Sequence, residues 1–136
     1  MFSEQGVQVL TDLSQELNQA VATLEKWQQQ LSANDPNNDV VSNLIGRLTG
    51  QALTVQTQAV ELALAIQDEA LDSIKVATVY LRKKAGVVAD VNTGISIFGG
   101  LAALGAAIIA GDPSGSVSAA STLIALIGPV KGRPPA

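Results

Sequence analysis

The chain has 136 residues and a formal net charge of −4, with 47% apolar but only 3% aromatic residues. It contains no Cys and no His, which excludes disulfide bonds, thiolate nucleophiles, thiolate metal sites and acid–base catalysis by His. The length predicts one helical domain over residues 1–136, because a chain of this size can bury a core of its own.

Charges are distributed unevenly along the chain. Residues 1–72 hold ten acids and two bases, whereas residues 73–136 hold six bases and two acids. The basic part is also the more apolar part, and this combination suits an anionic membrane surface. The basic triplet Arg82-Lys83-Lys84 is explained equally well as the end of a helix, where cations interact favourably with the helix dipole.

The first predicted helix spans residues 4–32 and carries a heptad seam. Ser3 is a suitable N-cap, and apolar residues follow at alternating spacings of three and four. The seam consists of Leu10, Leu13, Leu17, Ala20, Leu24, Trp27 and Leu31. This pattern predicts coiled-coil-like packing and assigns Trp27 to the core rather than to a ligand site.

A long second helix is predicted over residues 36–86. Asp35 is its N-cap and Pro36 its first residue, and no firm break precedes Gly86, which gives about 75 Å of continuous helix. Its seam runs from Ile45 to Ile66 and then slips by one residue. A second apolar line lies beside the seam and consists of Leu53, Val60, Leu64 and Leu71. We therefore expect this helix to be buried on more than one side.

The expected arrangement makes the second helix a spine. The first helix, folded back on it as a long antiparallel hairpin, would cover about residues 38–65. The next helix would fold back from Gly86 and cover about residues 66–84. The slip after Ile66 falls where one covering helix would give way to the other, because a slip changes the side of a helix that faces its partner.

Residues 91–129 predict an apolar helical hairpin that ends in a mobile tail, 130–136. Val91 to Gly111 is a run of 21 uncharged residues, and Pro113 to Pro129 adds 17 more. Small residues recur on the first hairpin helix and allow a close helix–helix contact. They are Gly99, Ala103 and Ala107. Hydroxyl groups on the second helix would line a wet cavity or a partner contact. They belong to Ser118, Ser121 and Thr122.

Membrane insertion of this hairpin has arguments on both sides. About 20 apolar residues span a hydrocarbon core, and the bases outside both hairpin ends fit a two-pass hairpin with cytoplasmic termini. Against insertion, the second hairpin helix reaches only about 20 Å of a core about 30 Å thick. No Trp or Tyr marks the membrane interfaces, and the mean hydropathy of the chain is only +0.30. A borderline hairpin of this kind fits two states: one in which it is packed within a soluble protein, and one in which it is exposed to a membrane or an oligomer.

Catalytic and ligand-binding motifs are not found in the sequence. The acids Glu61, Asp68, Glu69 and Asp72 are best read as a solvated helix face rather than a catalytic or metal site. Gly99-Gly100 lacks the preceding strand and the following Lys of a nucleotide loop. An acidic chain without aromatics around its bases does not favour nucleic acid. We expect no enzyme activity, no cofactor and no metal.

The layout of long amphipathic helices and one apolar hairpin resembles that of α-helical pore-forming toxins. The resemblance is one of architecture alone and assigns no residue a role. We predict an all-α homo-oligomer that engages anionic membranes through its hairpin, with pore formation as one outcome. Arg82, Lys83 and Lys84 would then meet lipid head groups. The alternative is a soluble structural or adaptor bundle whose hairpin is buried core or an oligomer interface, with a protein partner. No signal peptide is recognised, so we expect a cytoplasmic or membrane-associated protein.

Overall fold

The computed structural model describes residues 4–84 and 91–127, without the side chains of residues 4–5, 67–68, 84 and 91–93. The helices are α1 (Glu4–Gln30), α2 (Pro36–Thr57), α3 (Ala59–Lys84), α4 (Val91–Ile109) and α5 (Pro113–Ile127). These ranges contain no strand, and the prediction of an all-α bundle is confirmed. The predicted tail, 130–136, lies outside the described residues.

Asp residues cap two of the helices, and the sequence predicted the first of these caps, Asp35. The Asp35 carboxylate accepts a hydrogen bond from the Asn37 amide at 2.9 Å, and Pro36 follows as the first helical residue. The Asp112 carboxylate accepts one from the Gly115 amide at 3.0 Å. Gly111 has a φ of 69°, a left-handed conformation that ends α4 at little steric cost because Gly lacks a Cβ. The α4–α5 turn is therefore specified locally.

The prediction of one continuous helix over residues 36–86 is wrong, because the helix breaks at Gln58. Gln58 has φ −112° and ψ 22°, well away from helical values. The residues before it explain the break without Pro or Gly. The Thr57 hydroxyl donates to the Leu53 carbonyl at 2.9 Å, and that of Thr54 donates to the Gly50 carbonyl at 3.0 Å. Such back-bonding bends helices, and β-branched residues also weaken them.

The five described helices form a closed ring of contacts, from α1 to α2, α4, α5, α3 and back to α1. α1 packs against α2 and α3, α2 packs against α4, and α5 packs against both α4 and α3. α2 and α3 adjoin in sequence but share few contacts. The expected spine is therefore wrong in its second half, because α5 rather than α4 covers α3. A hydrogen bond of 2.8 Å from Gln51 Nε2 to the Ala102 carbonyl joins α4 to α2 instead.

The predicted seams form the core. Every seam residue of α1 from Leu10 to Trp27 is buried, and so is the α2–α3 seam from Leu48 to Leu81. The second apolar line is different, because Leu53, Val60 and Leu64 are 64%, 45% and 51% exposed. Burial of these three residues was therefore predicted wrongly for the single chain.

The inner side of the α4–α5 hairpin completes this core. Its buried large side chains are Ile97, Phe98, Leu101, Leu104, Ile108, Leu123 and Ile127. The Phe98 ring lies against Trp27 with the ring centroids 5.7 Å apart. The large apolar residues that make the hairpin conspicuous in the sequence thus face the other helices of the same chain.

Candidate interaction surfaces

The described side chains form no cluster that could ligate a metal ion. No group of three or more Asp, Glu, His or Cys residues among them could hold a metal ion. Glu61, Glu69 and Asp72 are exposed on α3, as expected of a solvated helix face. The side chain of Asp68, the fourth member of that cluster, lies outside the described residues.

Within the basic triplet of residues 82–84, Arg82 forms an ion pair with another helix. Arg82 Nε lies 3.3 Å from Glu16 Oε2, and the side chains are 52% and 10% exposed, respectively. Arg82 therefore joins α3 to α1, beside a cavity of about 220 Å³ that Phe98 also lines. Lys83 is exposed, and the Lys84 side chain is not described. Contact of the triplet with lipid stays a prediction. The explanation of Arg82 as a residue that only ends a helix is incomplete, because Arg82 also forms an ion pair with Glu16.

The predicted small-residue line on α4 does not form a close contact inside the fold. Ala103 is exposed, and a Cβ added at Gly99 would meet no atom within 4 Å. The close approaches occur instead at Gly100, where an added Cβ would lie 3.0 Å from Leu126 Cδ1, and at Gly105. There it would lie 2.7 Å from Gln51 Cδ. Contact of Gly99, Ala103 and Ala107 with a partner stays a prediction.

Ser118, Ser121 and Thr122 all lie exposed on α5. Ser118 borders an open cavity of about 390 Å³ between α3 and α5, which Glu69 and Pro113 also line. The Thr122 hydroxyl donates to the Ser118 carbonyl at 3.0 Å, so it is already engaged within its own helix. Of the three residues, Ser118 lines this cavity. Contact of all three with a partner stays a prediction.

Together, the outward sides of α4 and α5 form a surface of small uncharged residues, which we name the hairpin face. Its exposed residues are Ser96, Ala103, Ala106, Ala110, Ser114, Ser118, Ser121, Thr122 and Ala125. Asp112, in the turn, is the only charged residue between Val91 and Ile127. The hairpin face thus includes Ala103, Ser118, Ser121 and Thr122 of the predicted contacts.

A second surface, on the outward side of α3, is missing from the sequence prediction. From the N-terminus to the C-terminus of α3, acidic residues come first and basic residues come after them, with apolar side chains between them. We name it the α3 face. Its exposed residues are Glu61, Leu64, Ala65, Glu69, Asp72, Lys75, Val76, Val79, Tyr80 and Lys83. The uneven charge of the whole chain was the signal that could have drawn attention to the change of sign within this one helix.

Among the residues that the structure describes, none of the helices combines the length and the apolar character needed to cross a bilayer. Comparisons with protein families, with curated proteins and with solved structures gave no match to this chain. The surfaces of the fold are therefore the basis on which a function can be assigned.

Proposed function

We propose that this protein is a non-enzymatic helical bundle that acts as a structural or adaptor module by binding another protein through the hairpin face. One observation carries the proposal. The hairpin directs its large apolar side chains into its own core and leaves an outward surface without charge. The other helices expose charged residues instead, such as Glu25, Arg47 and Lys75.

A surface of this composition fits a protein helix. Charged residues are depleted at the centres of protein interfaces, and small side chains allow a second backbone to approach closely. The partner we propose is an amphipathic helix that lays its apolar side across α4 and α5. Exposed hydroxyls such as that of Ser121 would supply hydrogen bonds at the edge of this contact.

The hairpin face fits a bilayer less well. Insertion gains free energy from apolar area, at roughly 25 cal/mol per Å² removed from water. The outward Ala, Ser and Thr side chains offer little such area. The larger side chains, such as Phe98 and Leu123, would have to leave the core before they could reach lipid. The bundle would thus lose the burial that stabilises it.

The test combines vesicle flotation with partner capture. The tagged full-length protein is floated with vesicles rich in anionic lipid, and its partners are captured from a lysate in parallel. We compare the parent with Ala103→Glu on the hairpin face and with Ala22→Glu, a matched control at an exposed position on α1. Both variants should fold, because both sites face outward and Ala and Glu are good helix formers.

We expect no flotation, and a captured protein that is lost with Ala103→Glu but retained with Ala22→Glu. Flotation of the parent with anionic vesicles would overturn the proposal in favour of membrane engagement. Capture that is equal for the parent and both variants would overturn the hairpin face as the binding surface. Melting curves by circular dichroism confirm that each variant is folded.

A further inference from the structure

We infer that two copies of this chain form a symmetric dimer in which their α3 helices pack antiparallel through the α3 face. This surface differs from the hairpin face, and the inference stands independently of the function proposed above. It is carried by the order of charged and apolar residues along one side of a single helix.

The charges of the α3 face change sign at its middle. Glu61, Glu69 and Asp72 precede Lys75 and Lys83, and all five side chains are exposed. Within the described part of the chain, the only ion pair joins two other residues, one on α1 and one on α3. These five charges are therefore available to a partner.

The order of signs is self-complementary when a second α3 runs in the opposite direction. If Asp72 meets its own copy at the symmetry axis, Glu61 of each copy faces Lys83 of the other. A two-fold axis repeats this contact, so one pair of opposite charge becomes two. A parallel arrangement would instead place acids against acids and bases against bases.

The same register also matches the apolar residues. Ala65 falls opposite Val79, and Leu64 and Tyr80 lie at the two edges of the same contact. Each of these four side chains is exposed in the single chain, Leu64 by 51% and Tyr80 by 36%. Antiparallel pairing would therefore cover apolar surface that the fold leaves in water, and it would do so in the register that the charges select.

The contacting positions lie on one side of the helix. Residues 61, 65, 72, 76, 79 and 83 are spaced by three, four or seven, which aligns them along the axis of an α-helix. From residue 61 to residue 83 this stripe is about 33 Å long at roughly 1.5 Å per residue. A contact of two single helices lies at the lower end of stable interface sizes, so we expect a reversible dimer.

A second copy suits this surface better than a nucleic acid or an anionic bilayer. Either of those would attract Lys75 and Lys83 but would repel the three carboxylates on the α3 face. Another copy of α3 supplies the opposite sign at Glu61 and at Lys83, whereas at the axis Asp72 meets Asp72. This like-charge contact opposes association and makes a specific test available.

The first experiment measures dimer dissociation by sedimentation equilibrium at low salt, with charge reversals in the full chain. Glu61→Lys and Lys83→Glu each turn two attractive contacts into repulsive ones, so each should weaken the dimer about tenfold, or ~1.4 kcal/mol. The double variant exchanges the signs and should restore the affinity of the parent. Glu25→Lys on α1 changes the net charge as Glu61→Lys does and should leave the affinity within about twofold.

Asp72→Asn removes the opposed charges at the axis and should tighten the dimer roughly threefold to tenfold. A simple loss of structure would not strengthen association. High salt should bring all the charge variants closer to the parent, because exposed charges are screened beyond about 10 Å at 0.1 M salt.

The second experiment maps the register with engineered cysteines, since the chain has none of its own. Asp72→Cys places a thiol at the axis, where the Cα atoms of two copies can approach the 4.4–6.8 Å that a disulfide requires. Mild oxidation should yield a covalent dimer from this variant and far less from Glu25→Cys. Glu61→Cys should cross-link with Lys83→Cys when the two proteins are mixed, and much less with itself.

The inference is overturned if the parent is monomeric up to millimolar concentration. It is also overturned if a dimer forms but the double reversal fails to restore affinity, or if Glu25→Cys cross-links as well as Asp72→Cys. None of these results bears on partner capture by the hairpin face, so the two proposals fail separately.

Discussion

Substitution of Gly105 by Ala should reverse the usual effect of Ala in a helix. Ala normally stabilises a helix interior over Gly by about 1 kcal/mol. At Gly105, however, the new Cβ would lie 2.7 Å from Gln51 Cδ, on the neighbouring helix. Real Cβ atoms do not approach other atoms so closely, so the Gln51 side chain must move.

The cost of that movement follows from the surroundings of Gln51. Its side chain is buried between α2 and α4, and its Nε2 donates a hydrogen bond of 2.8 Å to the Ala102 carbonyl. Losing such a bond inside a protein costs about 1 kcal/mol, and leaving a buried amide unsatisfied costs ~1–3 kcal/mol. We therefore expect Gly105→Ala to destabilise the protein by about 1 kcal/mol after the gain in helix propensity is included.

Gly99→Ala on the same helix is the matched control, because an added Cβ there meets no atom within 4 Å. It should stabilise the protein by about 1 kcal/mol. In a Gln51→Ala background, Gly105→Ala should become stabilising as well, because the obstructing side chain is gone. This double-mutant cycle isolates the contact between the two positions.

The assay is thermal and urea unfolding followed by circular dichroism, in which about 1 kcal/mol corresponds to roughly 4 °C for a chain of this size. We expect Gly99→Ala to melt above the parent and Gly105→Ala to melt below it. If Gly105→Ala is as stable as Gly99→Ala, then α2 and α4 do not approach closely at Gln51 and the packing described here is wrong at that point.

Three further substitutions, with Lys83→Ala as a control, test the ion pair, a helix cap and the core. Arg82→Ala should lower the free energy of unfolding by about 1 kcal/mol, because it leaves the nearly buried Glu16 carboxylate without its partner. The effect is no larger because water partly screens this pair. Lys83→Ala, the control, should change the free energy of unfolding by less than ~0.5 kcal/mol. Asp112→Ala should cost about 1 kcal/mol as a lost N-cap, measured by urea unfolding. Phe98→Ala should cost ~3–5 kcal/mol and shift the emission of Trp27, the only Trp, to longer wavelength; unchanged fluorescence would place the Phe98 ring elsewhere.

Heptad spacing and capping residues made much of the helical architecture predictable. The α1 seam from Leu10 to Trp27 was correct because burial on one side imposes a period that the sequence displays directly. Asp35-Pro36 and Gly111-Asp112 marked helix boundaries because capping and the left-handed conformation need particular residues. These signals are local and need no knowledge of the rest of the fold.

The break at Gln58 and the choice of helix partners were not predictable in the same way. Bending at Gln58 depends on Thr hydroxyls that donate to backbone carbonyls of the preceding turn. In an isolated helix these bonds compete only weakly with the backbone hydrogen bonds of the helix. Likewise, the sequence could not indicate whether Gly99 or Gly105 faces a neighbour, because both lie in the same run of small residues. The direction that each helix side faces is set by all five helices together.

The ion pair of Arg82 could not be predicted for a related reason. Arg82 and Lys83 are adjacent in sequence, but Arg82 reaches toward Glu16 on another helix and Lys83 is exposed. The sequence alone does not show which base in a run has a partner on another helix. The α3 face was missed because the chain was summed in halves rather than along a single helix.

The closed packing order has a consequence for synthesis of the chain. α5 is made after α3 and covers it, and α4 is made after α2 and covers it, so both earlier helices keep apolar sides exposed until the hairpin is made. A nascent or truncated chain that stops near Lys84 would lack the helix that lies beside Ile66 and Ala70, two buried residues that line a cavity with α5. Exposed apolar surface of this kind promotes aggregation and recruits chaperones. The early and late helices are therefore coupled in one folding event, and a chain cut before the hairpin is an aggregation-prone intermediate rather than a smaller folded protein.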